Sequence, residues 1–223
     1  MSSVGAEIRY LNASLPEGVR LVAVSKFHPV EAIREAYDAG QRLFGESRVQ
    51  ELLEKIPRLP SDIRWHFIGH LQTNKVRQLV GRTALIESVD SERLLDLIDR
   101  ESAKAGLVTD VLLQVHVARE ETKFGFLPDE LSELCRSGRL ETFKSVRIRG
   151  VMGMASNTDD EDRIREDFAR IAGIFKEIKE NFGHSLENFD IISMGMSGDW
   201  QIAIEEGSNM IRIGSMIFGE RNY

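Results

Sequence analysis

Several residue types are scarce in this chain of 223 residues, and each shortage excludes a class of protein. Its one cysteine, Cys135, cannot form an internal disulfide, which argues against a disulfide-stapled secreted scaffold. No apolar run is long enough to cross a bilayer, and the N-terminal segment is too polar for a secretory leader. Lysine and arginine total 29 against 36 aspartates and glutamates, which argues against broad nucleic-acid binding. We therefore expect a soluble cytoplasmic protein.

What the chain does contain is a regular alternation of apolar, strand-like runs and amphipathic, helix-like runs. The predicted strands are residues 21–26, 42–46, 65–70, 84–89, 111–117, 146–151, 190–192 and 210–213. The predicted helices cover about residues 4–11, 29–39, 47–57, 74–80, 91–106, 128–138, 160–182 and 199–206. This number of strand–helix units in a chain of this length favours a closed barrel, because closure leaves no edge strands. We predict an α/β fold with a single (β/α)8 TIM-type barrel domain over residues 1–223 and an extra N-terminal helix.

The first predicted strand delivers a lysine to the end of the barrel that carries active sites in such folds. Residues 21–24 are apolar and include two β-branched valines, and Lys26 follows them before Pro29 begins a helical pattern. Since the carboxyl ends of all strands in a barrel meet at one face, Lys26 would share a cavity with the other strand ends. From this stretch alone, a surface ion pair for Lys26 is an equally good interpretation.

Two glycine–serine segments follow the seventh and eighth strands, where TIM-type barrels often bind phosphate. They are residues 195–198, which read Gly-Met-Ser-Gly, and residues 214–215. Glycine lets the backbone approach an anion closely. Arg212 lies two residues before Gly214, so strand alternation predicts that it points toward the same cavity, with a salt bridge to a barrel glutamate as the alternative. A lysine facing a phosphate site suggests a phosphorylated aldehyde held as a Schiff base.

Five segments together carry a family resemblance. They are AVSK at 23–26, FGESRVQE at 44–51, WHFIGHLQTNK at 65–75, MGMS at 194–197 with Asp199, and IRIGS at 211–215 followed by IFGER at 217–221. In order and spacing they resemble the pyridoxal phosphate homeostasis proteins, which are single-domain relatives of the alanine racemase barrel. The resemblance implies a protein that binds pyridoxal 5'-phosphate and acts in its intracellular homeostasis without strong catalytic activity.

The resemblance also assigns roles to individual residues. Lys26 matches the lysine that forms the Schiff base, and Arg212 matches the partner of the pyridine nitrogen. Ser197, Gly214 and Ser215 match the phosphate cradle. No residue is assigned to catalysis or to a metal. We expect pyridoxal phosphate and apo pyridoxal-phosphate enzymes as partners, no nucleic acid or membrane partner, and a monomer.

The chain departs from the family pattern at two positions. Ser47 stands where the family usually has asparagine after Phe-Gly-Glu, and His116 stands where relatives commonly have asparagine. A serine side chain is shorter, so a contact that the asparagine makes near the cofactor would be changed.

Two alternative functions are compatible with these residues. An amino-acid racemase needs proton donors or acceptors on both faces of its substrate. In alanine racemase the second group is a tyrosine from an additional domain; here Tyr10 and Tyr37 lie in predicted helices and Tyr223 is terminal. A Schiff-base aldolase-type barrel without pyridoxal phosphate would use the same lysine, but the five segments argue against it.

Other conspicuous side chains receive structural interpretations. His66 and His70 lack a full set of metal ligands nearby in the sequence, so hydrogen-bonding roles are favoured. Cys135 is predicted to be a buried thiol. The loop around Lys123 is either a lid over the cavity or a solvated connection. Four methionines are expected to pack the barrel mouth, namely Met152, Met154, Met194 and Met196.

Overall fold

The strands close into a parallel barrel. The computed structural model describes residues 3–118, 124–183 and 186–219. Each strand pairs with the next in parallel, and β1 pairs with β8 to close the sheet, with Leu21 opposite Ile211. The strands are β1 Arg20–Val24, β2 Leu43–Glu46, β3 Arg64–Phe67, β4 Leu85–Val89, β5 Thr109–Val115, β6 Val146–Gly153, β7 Ile191–Ser193 and β8 Met210–Ile213. The predicted (β/α)8 TIM-type barrel is confirmed.

Helices cover the outside of the barrel. In the described part of the chain the α-helices are α1 Val4–Ser14, α2 Val30–Asp38, α3 Val49–Lys55, α4 Val76–Leu79, α5 Glu92–Ala105, α6 Pro128–Arg136, α7 Glu161–Phe182, α8 Trp200–Glu205 and α9 Ser215–Phe218. The predicted N-terminal helix is α1, which contacts α2 and α9. At α5 the Ser91 hydroxyl accepts the N–H of Leu94, and Gly106 ends the helix in the left-handed conformation. No helix of the described ranges is both long and apolar enough to span a membrane.

Three strands end earlier than predicted, and one of them is β5, which ends at Val115 rather than at residue 117. β1 ends at Val24 rather than at Lys26, because the chain turns toward α2 immediately after Ser25. β3 ends at Phe67 rather than at His70. At β1 and β3 the last polar residue of the sequence segment, Lys26 or His70, lies in the loop beyond the strand, which places it at the barrel mouth rather than in the wall.

β6 is longer than predicted and contains an irregularity. It continues to Gly153, which pairs with Val115 of β5. The register of this pair shifts near Gly150, and an added Cβ at Gly150 would lie 1.8 Å from the carbonyl oxygen of Ile191. Only glycine fits at position 150, and the resulting β-bulge changes the direction of the end of β6.

The barrel interior has an apolar layer beneath a polar one. The apolar layer consists of Val22, Leu85, Leu112, Met152, Ile191 and Met210. Because side chains alternate between the two faces of a strand, inward-facing residues recur two positions further along. On β4, β7 and β8 those positions are Glu87, Ser193 and Arg212. The apolar layer therefore forms the floor of a polar chamber that opens at the carboxyl ends of the strands.

Cys135 lies in the hydrophobic core between the barrel and its helices, with only 4% of its surface exposed. Burial, together with the nearby Glu177 carboxylate, raises the pKa of the thiol to about 11. A thiol with so high a pKa is unreactive near neutral pH. The predicted buried structural thiol is confirmed.

Candidate functional site

A cavity of about 260 Å³ opens at the carboxyl-end face of the barrel. It is lined by Val24, Lys26, Ser47, Ile68, Met152, Met154, Met196, Ser197, Gly198, Arg212, Gly214 and Ser215. The five residues singled out from the sequence, Lys26, Ser197, Arg212, Gly214 and Ser215, all belong to this lining. The barrel closure brings them together from the turn after β1, from β8, from the loop after β7 and from the junction between β8 and α9, although Lys26 and Ser215 lie near opposite ends of the chain.

Arg212 is buried and held in place by two hydrogen bonds. Nη1 donates to the Ser193 hydroxyl at 2.6 Å, and Nη2 donates to the Gly153 carbonyl oxygen at 3.0 Å. Nη1 also lies 3.8 Å from the carboxylate of Glu87. Both sequence interpretations of Arg212 therefore apply, because the residue pairs with a barrel glutamate and lines the cavity. Its Nε–H has no hydrogen-bond partner among the described residues and remains available as a donor.

Glu87 is the fully buried anion beneath Arg212. Its two oxygens accept hydrogen bonds from His66 Nδ1 and from the Ser193 hydroxyl, each at 2.6 Å. Burial by itself would raise the pKa of Glu87, but the hydrogen bond from His66, the attraction of His66 and Arg212, and the Ser193 bond together lower it below its ordinary value. The carboxylate thus stays ionised and balances the guanidinium. The predicted hydrogen-bonding role of His66 is confirmed.

The loops after β7 and β8 meet in the cavity wall. The Ser197 hydroxyl accepts the backbone N–H of Gly214 at 3.4 Å, so the two glycine–serine segments touch. An added Cβ at Gly198 would meet nothing within 4 Å, whereas one at Gly214 would lie 3.3 Å from the carbonyl oxygen of Val24. The donors at this part of the cavity are therefore two serine hydroxyls and backbone groups of the glycines, which have no side chain to cover them. An anionic group such as a phosphate requires such a donor set.

A larger groove, of about 670 Å³, lies on the outer surface between α5 and α6. Acidic side chains dominate its lining, with Asp90, Glu92, Glu130 and Glu133 facing a single basic residue, Arg139. Arg139 already pairs with Glu92. None of the five predicted site residues contributes to this groove, and its charge would repel a phosphate. We therefore place the candidate site in the smaller cavity.

Comparison with known proteins identifies the family. Residues 1–222 match the sequence profile of the family described as alanine racemase, N-terminal domain. The pyridoxal phosphate homeostasis protein of Aquifex aeolicus is 41% identical over 205 residues, which cover 92% of this chain and 88% of that protein. The chain belongs to the pyridoxal phosphate homeostasis protein family.

Solved structures agree with this family membership. PipY of Synechococcus elongatus, in a structure with pyridoxal phosphate bound, superposes with a TM-score of 0.89 at 37% identity, covering 97% of this chain and all of PipY. Alanine racemase of Clostridium difficile superposes with a TM-score of 0.78 at 15% identity, covering 99% of this chain and 57% of the racemase. The second likeness is one of fold alone.

The two departures from the family pattern lie in different places. Ser47 lines the cavity. The loop after β3 packs closely against Ser47, because a Cβ added at Gly69 would lie 2.2 Å from the Ser47 carbonyl oxygen. His116 does not line the cavity; its backbone N–H donates to the Phe126 carbonyl oxygen. Only the serine substitution therefore alters the cavity wall.

The remaining candidates from the sequence are placed as follows. Met152, Met154 and Met196 line the cavity, whereas Met194 is fully buried in the hydrophobic core between the barrel and its helices. His70 bonds Asp90 through Nδ1. Within the described ranges, no group of three or more metal-binding side chains is assembled. The Lys123 loop, Tyr223 and the last two residues of the fifth segment lie outside the described residues.

Sequence reasoning overlooked a second buried network, beside Lys26. It involves Glu46 at the end of β2 and two residues of α3, Glu51 and Lys55. A signal existed, because Lys55 lies three residues after Leu52 on the apolar face of a predicted helix, where a lysine needs a buried partner. Ser193 was also overlooked, since nothing local marks which polar strand residues face inward.

Proposed function

We propose that this protein binds pyridoxal 5'-phosphate through a Schiff base on Lys26 and acts in the homeostasis of that cofactor. The convergence of Lys26, Arg212 and the two glycine–serine segments on one cavity carries the proposal. The names of the relatives and the pyridoxal phosphate bound in PipY support it.

The residues of the cavity fit the chemical groups of this cofactor. Pyridoxal phosphate supplies an aldehyde that condenses with a primary amine. The Lys26 amine would add to the aldehyde carbon, the carbonyl oxygen would leave as water, and a C=N bond would join the two. Ser197, Ser215 and the backbone at Gly214 would hold the phosphate. Arg212 Nε would face the ring nitrogen, and its permanent charge would keep that nitrogen unprotonated, so the ring would be a weak electron sink.

A cofactor-binding role is favoured over an amino-acid racemase. Among the described residues, no tyrosine lines the cavity: Tyr10 is exposed on α1, and the Tyr37 hydroxyl donates to Asp62 at 2.7 Å on the outer surface. A racemase needs a second proton-transfer group opposite Lys26. We therefore propose binding and exchange of the cofactor without strong catalysis.

The proposal extends to the setting in which the protein works. We propose that residues 1–223 act as one pyridoxal-phosphate-binding domain, that the protein is a cytoplasmic monomer, and that it exchanges the cofactor with apo pyridoxal-phosphate enzymes. The cavity opens at the protein surface beside Met196, 39% of which is exposed, so a second protein could approach its rim.

The first test is the absorption spectrum of the protein with added pyridoxal phosphate, before and after borohydride. We expect a visible band that borohydride abolishes, and a reduced adduct that mass analysis locates on Lys26. Lys26→Ala should lack the band, whereas Lys104→Ala, at an exposed lysine of α5, should retain it. A protein that takes up no cofactor, or an adduct on another lysine, would contradict the proposal. Racemase assays on the same sample separate a carrier from an enzyme.

A further inference from the structure

The turn that carries Lys26 is strained at the next residue. Phe27 has a φ of 68°, and among the described residues only Phe27 and Asn188 adopt positive φ without being glycine. Asparagine tolerates this left-handed conformation, but a bulky residue such as phenylalanine does so only when its surroundings enforce it. The conformation of the Lys26 turn is therefore imposed by neighbouring groups.

Glu51 of α3 enforces the turn from one side of Lys26. Its Oε1 accepts the backbone N–H of Phe27 at 2.6 Å, a short hydrogen bond to a carboxylate. The guanidinium of Arg48, one residue before α3, lies over the Phe27 ring at 4.6 Å from its centre. The backbone and the ring of Phe27 are thus both held from the start of α3.

Lys55 holds the other side of Lys26. Its ammonium group donates to the Ser25 carbonyl oxygen at 2.9 Å, to Glu46 Oε1 at 2.7 Å and to Glu51 Oε1 at 2.6 Å. These three acceptors use all three donors of the ammonium group. Since only 5% of Lys55 is exposed and its amine is fully engaged, Lys55 is a structural cation rather than a second site for a Schiff base.

We infer that Glu51 and Lys55 are positioning residues for Lys26. They form hydrogen bonds with the peptide groups on both sides of it and so orient its amine toward the cavity. The inference rests on the proposed function, because it concerns the reactivity of the Lys26 amine. The ion pair between Glu51 and Lys55 has a structural role in this arrangement, which is to hold the strained turn at Phe27. A pair that merely anchored α3 would have no need to contact residues 25 and 27.

The decisive comparison is between Glu51→Ala and Glu54→Ala. Both remove a glutamate from α3, but Glu54 is exposed. We expect Glu51→Ala to slow formation of the borohydride-sensitive Lys26 adduct about tenfold, the order of effect that relaxing one strained residue would produce. Glu54→Ala should react at the wild-type rate. Equal rates for Glu51→Ala and wild type would overturn the inference.

A rescue experiment separates positioning from general damage. Glycine adopts positive φ without steric cost, so Phe27→Gly in the Glu51→Ala background should recover most of the lost rate. If the double variant is no faster than Glu51→Ala, the turn is not what Glu51 controls, and the inference fails. Should Glu51→Ala not fold, Glu51→Gln replaces it, with about a threefold slower reaction expected because a neutral acceptor binds an N–H more weakly than a carboxylate.

A measurement without cofactor keeps this inference distinct from the proposed function. Amide hydrogen exchange at Phe27 in the cofactor-free protein should be about tenfold faster in Glu51→Ala than in Glu54→Ala, because the former loses the acceptor of that N–H. If the wild type forms no Lys26 adduct, the proposed function fails whatever the exchange data are. If exchange at Phe27 is the same in both variants, the positioning role fails even when the adduct forms.

Discussion

Two buried glutamates at the cavity end of the barrel, Glu46 and Glu87, are both inaccessible to solvent but differ in their hydrogen bonds. Glu87 uses both oxygens, one toward His66 and one toward Ser193. Glu46 receives Lys55 and the Ser25 hydroxyl on the same oxygen, Oε1, while its buried Oε2 has no partner within the described part of the protein.

The pKa values of the two carboxyl groups diverge accordingly. Burial, the largest influence on Glu46, raises its pKa to about 7 against the opposing effects of Lys55 and Ser25. At Glu87 the donors and the positive charges outweigh burial and lower the pKa. The comparison shows that hydrogen-bond donors on both oxygens, more than the depth of burial, decide whether a buried carboxyl group stays ionised. Glu87 can therefore balance Arg212 over a wide pH range.

The largest expected effect follows from breaking the Glu87 network. Glu87→Ala leaves the buried Arg212 guanidinium without its carboxylate, and we expect the free energy of unfolding to fall by about 3–5 kcal/mol. Urea unfolding measures this. The control is Glu133→Ala, an exposed glutamate of α6, which should change stability by less than about 0.5 kcal/mol.

A double variant sharpens this test. Adding Arg212→Met to Glu87→Ala removes the uncompensated charge, so stability should return toward the wild-type value. If the double variant is less stable than Glu87→Ala, charge balance is not the role of Glu87.

The next effect concerns pH and Glu46. Between the ordinary pKa of 4.5 and about 7, folded Glu46 holds a proton that the unfolded chain has released. The free energy of unfolding should therefore fall as pH rises through this window, by about 3 kcal/mol in total relative to Glu46→Gln, which cannot titrate. Urea unfolding of both proteins from pH 4.5 to 7.5 measures the difference. A difference independent of pH would show that Glu46 titrates alike in both states.

The smallest effects come from removing the serine hydroxyl groups that donate hydrogen bonds to the two buried carboxyl groups, Glu46 and Glu87. Ser193→Ala removes a group that bonds both Glu87 and Arg212, and we expect a loss of about 1–3 kcal/mol. Ser25→Ala removes a single donor to Glu46 and should cost about 1 kcal/mol. Urea unfolding at pH 6 compares them. A larger loss for Ser25→Ala would reverse the ranking of the two networks.

The barrel and part of its cavity lining could be predicted, because their signals are local. Apolar runs, the alternation with helical runs and end signals such as Ser91 and Gly106 are properties of short segments. The position of Lys26, Arg212 and Ser215 after or near strand ends then follows from the rule that strand ends of a barrel share one face.

The partners of these residues could not be predicted in the same way. Glu87 and Ser193 are separated by 106 residues, and their contact depends on the stagger of strands around the closed sheet. Lys55 reaches Ser25 across 30 residues, between a helix and the neighbouring strand end. The positive φ of Phe27 has no sequence signal, because phenylalanine gives no reason to expect that conformation.

The sequence alone therefore determined the barrel, the family and five of the residues that line the cavity, since periodicity, glycine positions and motif order are written along the chain. The tertiary structure alone decided how Lys26 and Arg212 are held, which buried carboxyl group stays ionised and which is prone to take up a proton. The physical reason is that the energies of buried charges depend on distances between side chains and on their separation from water. Those quantities exist only once the barrel has closed.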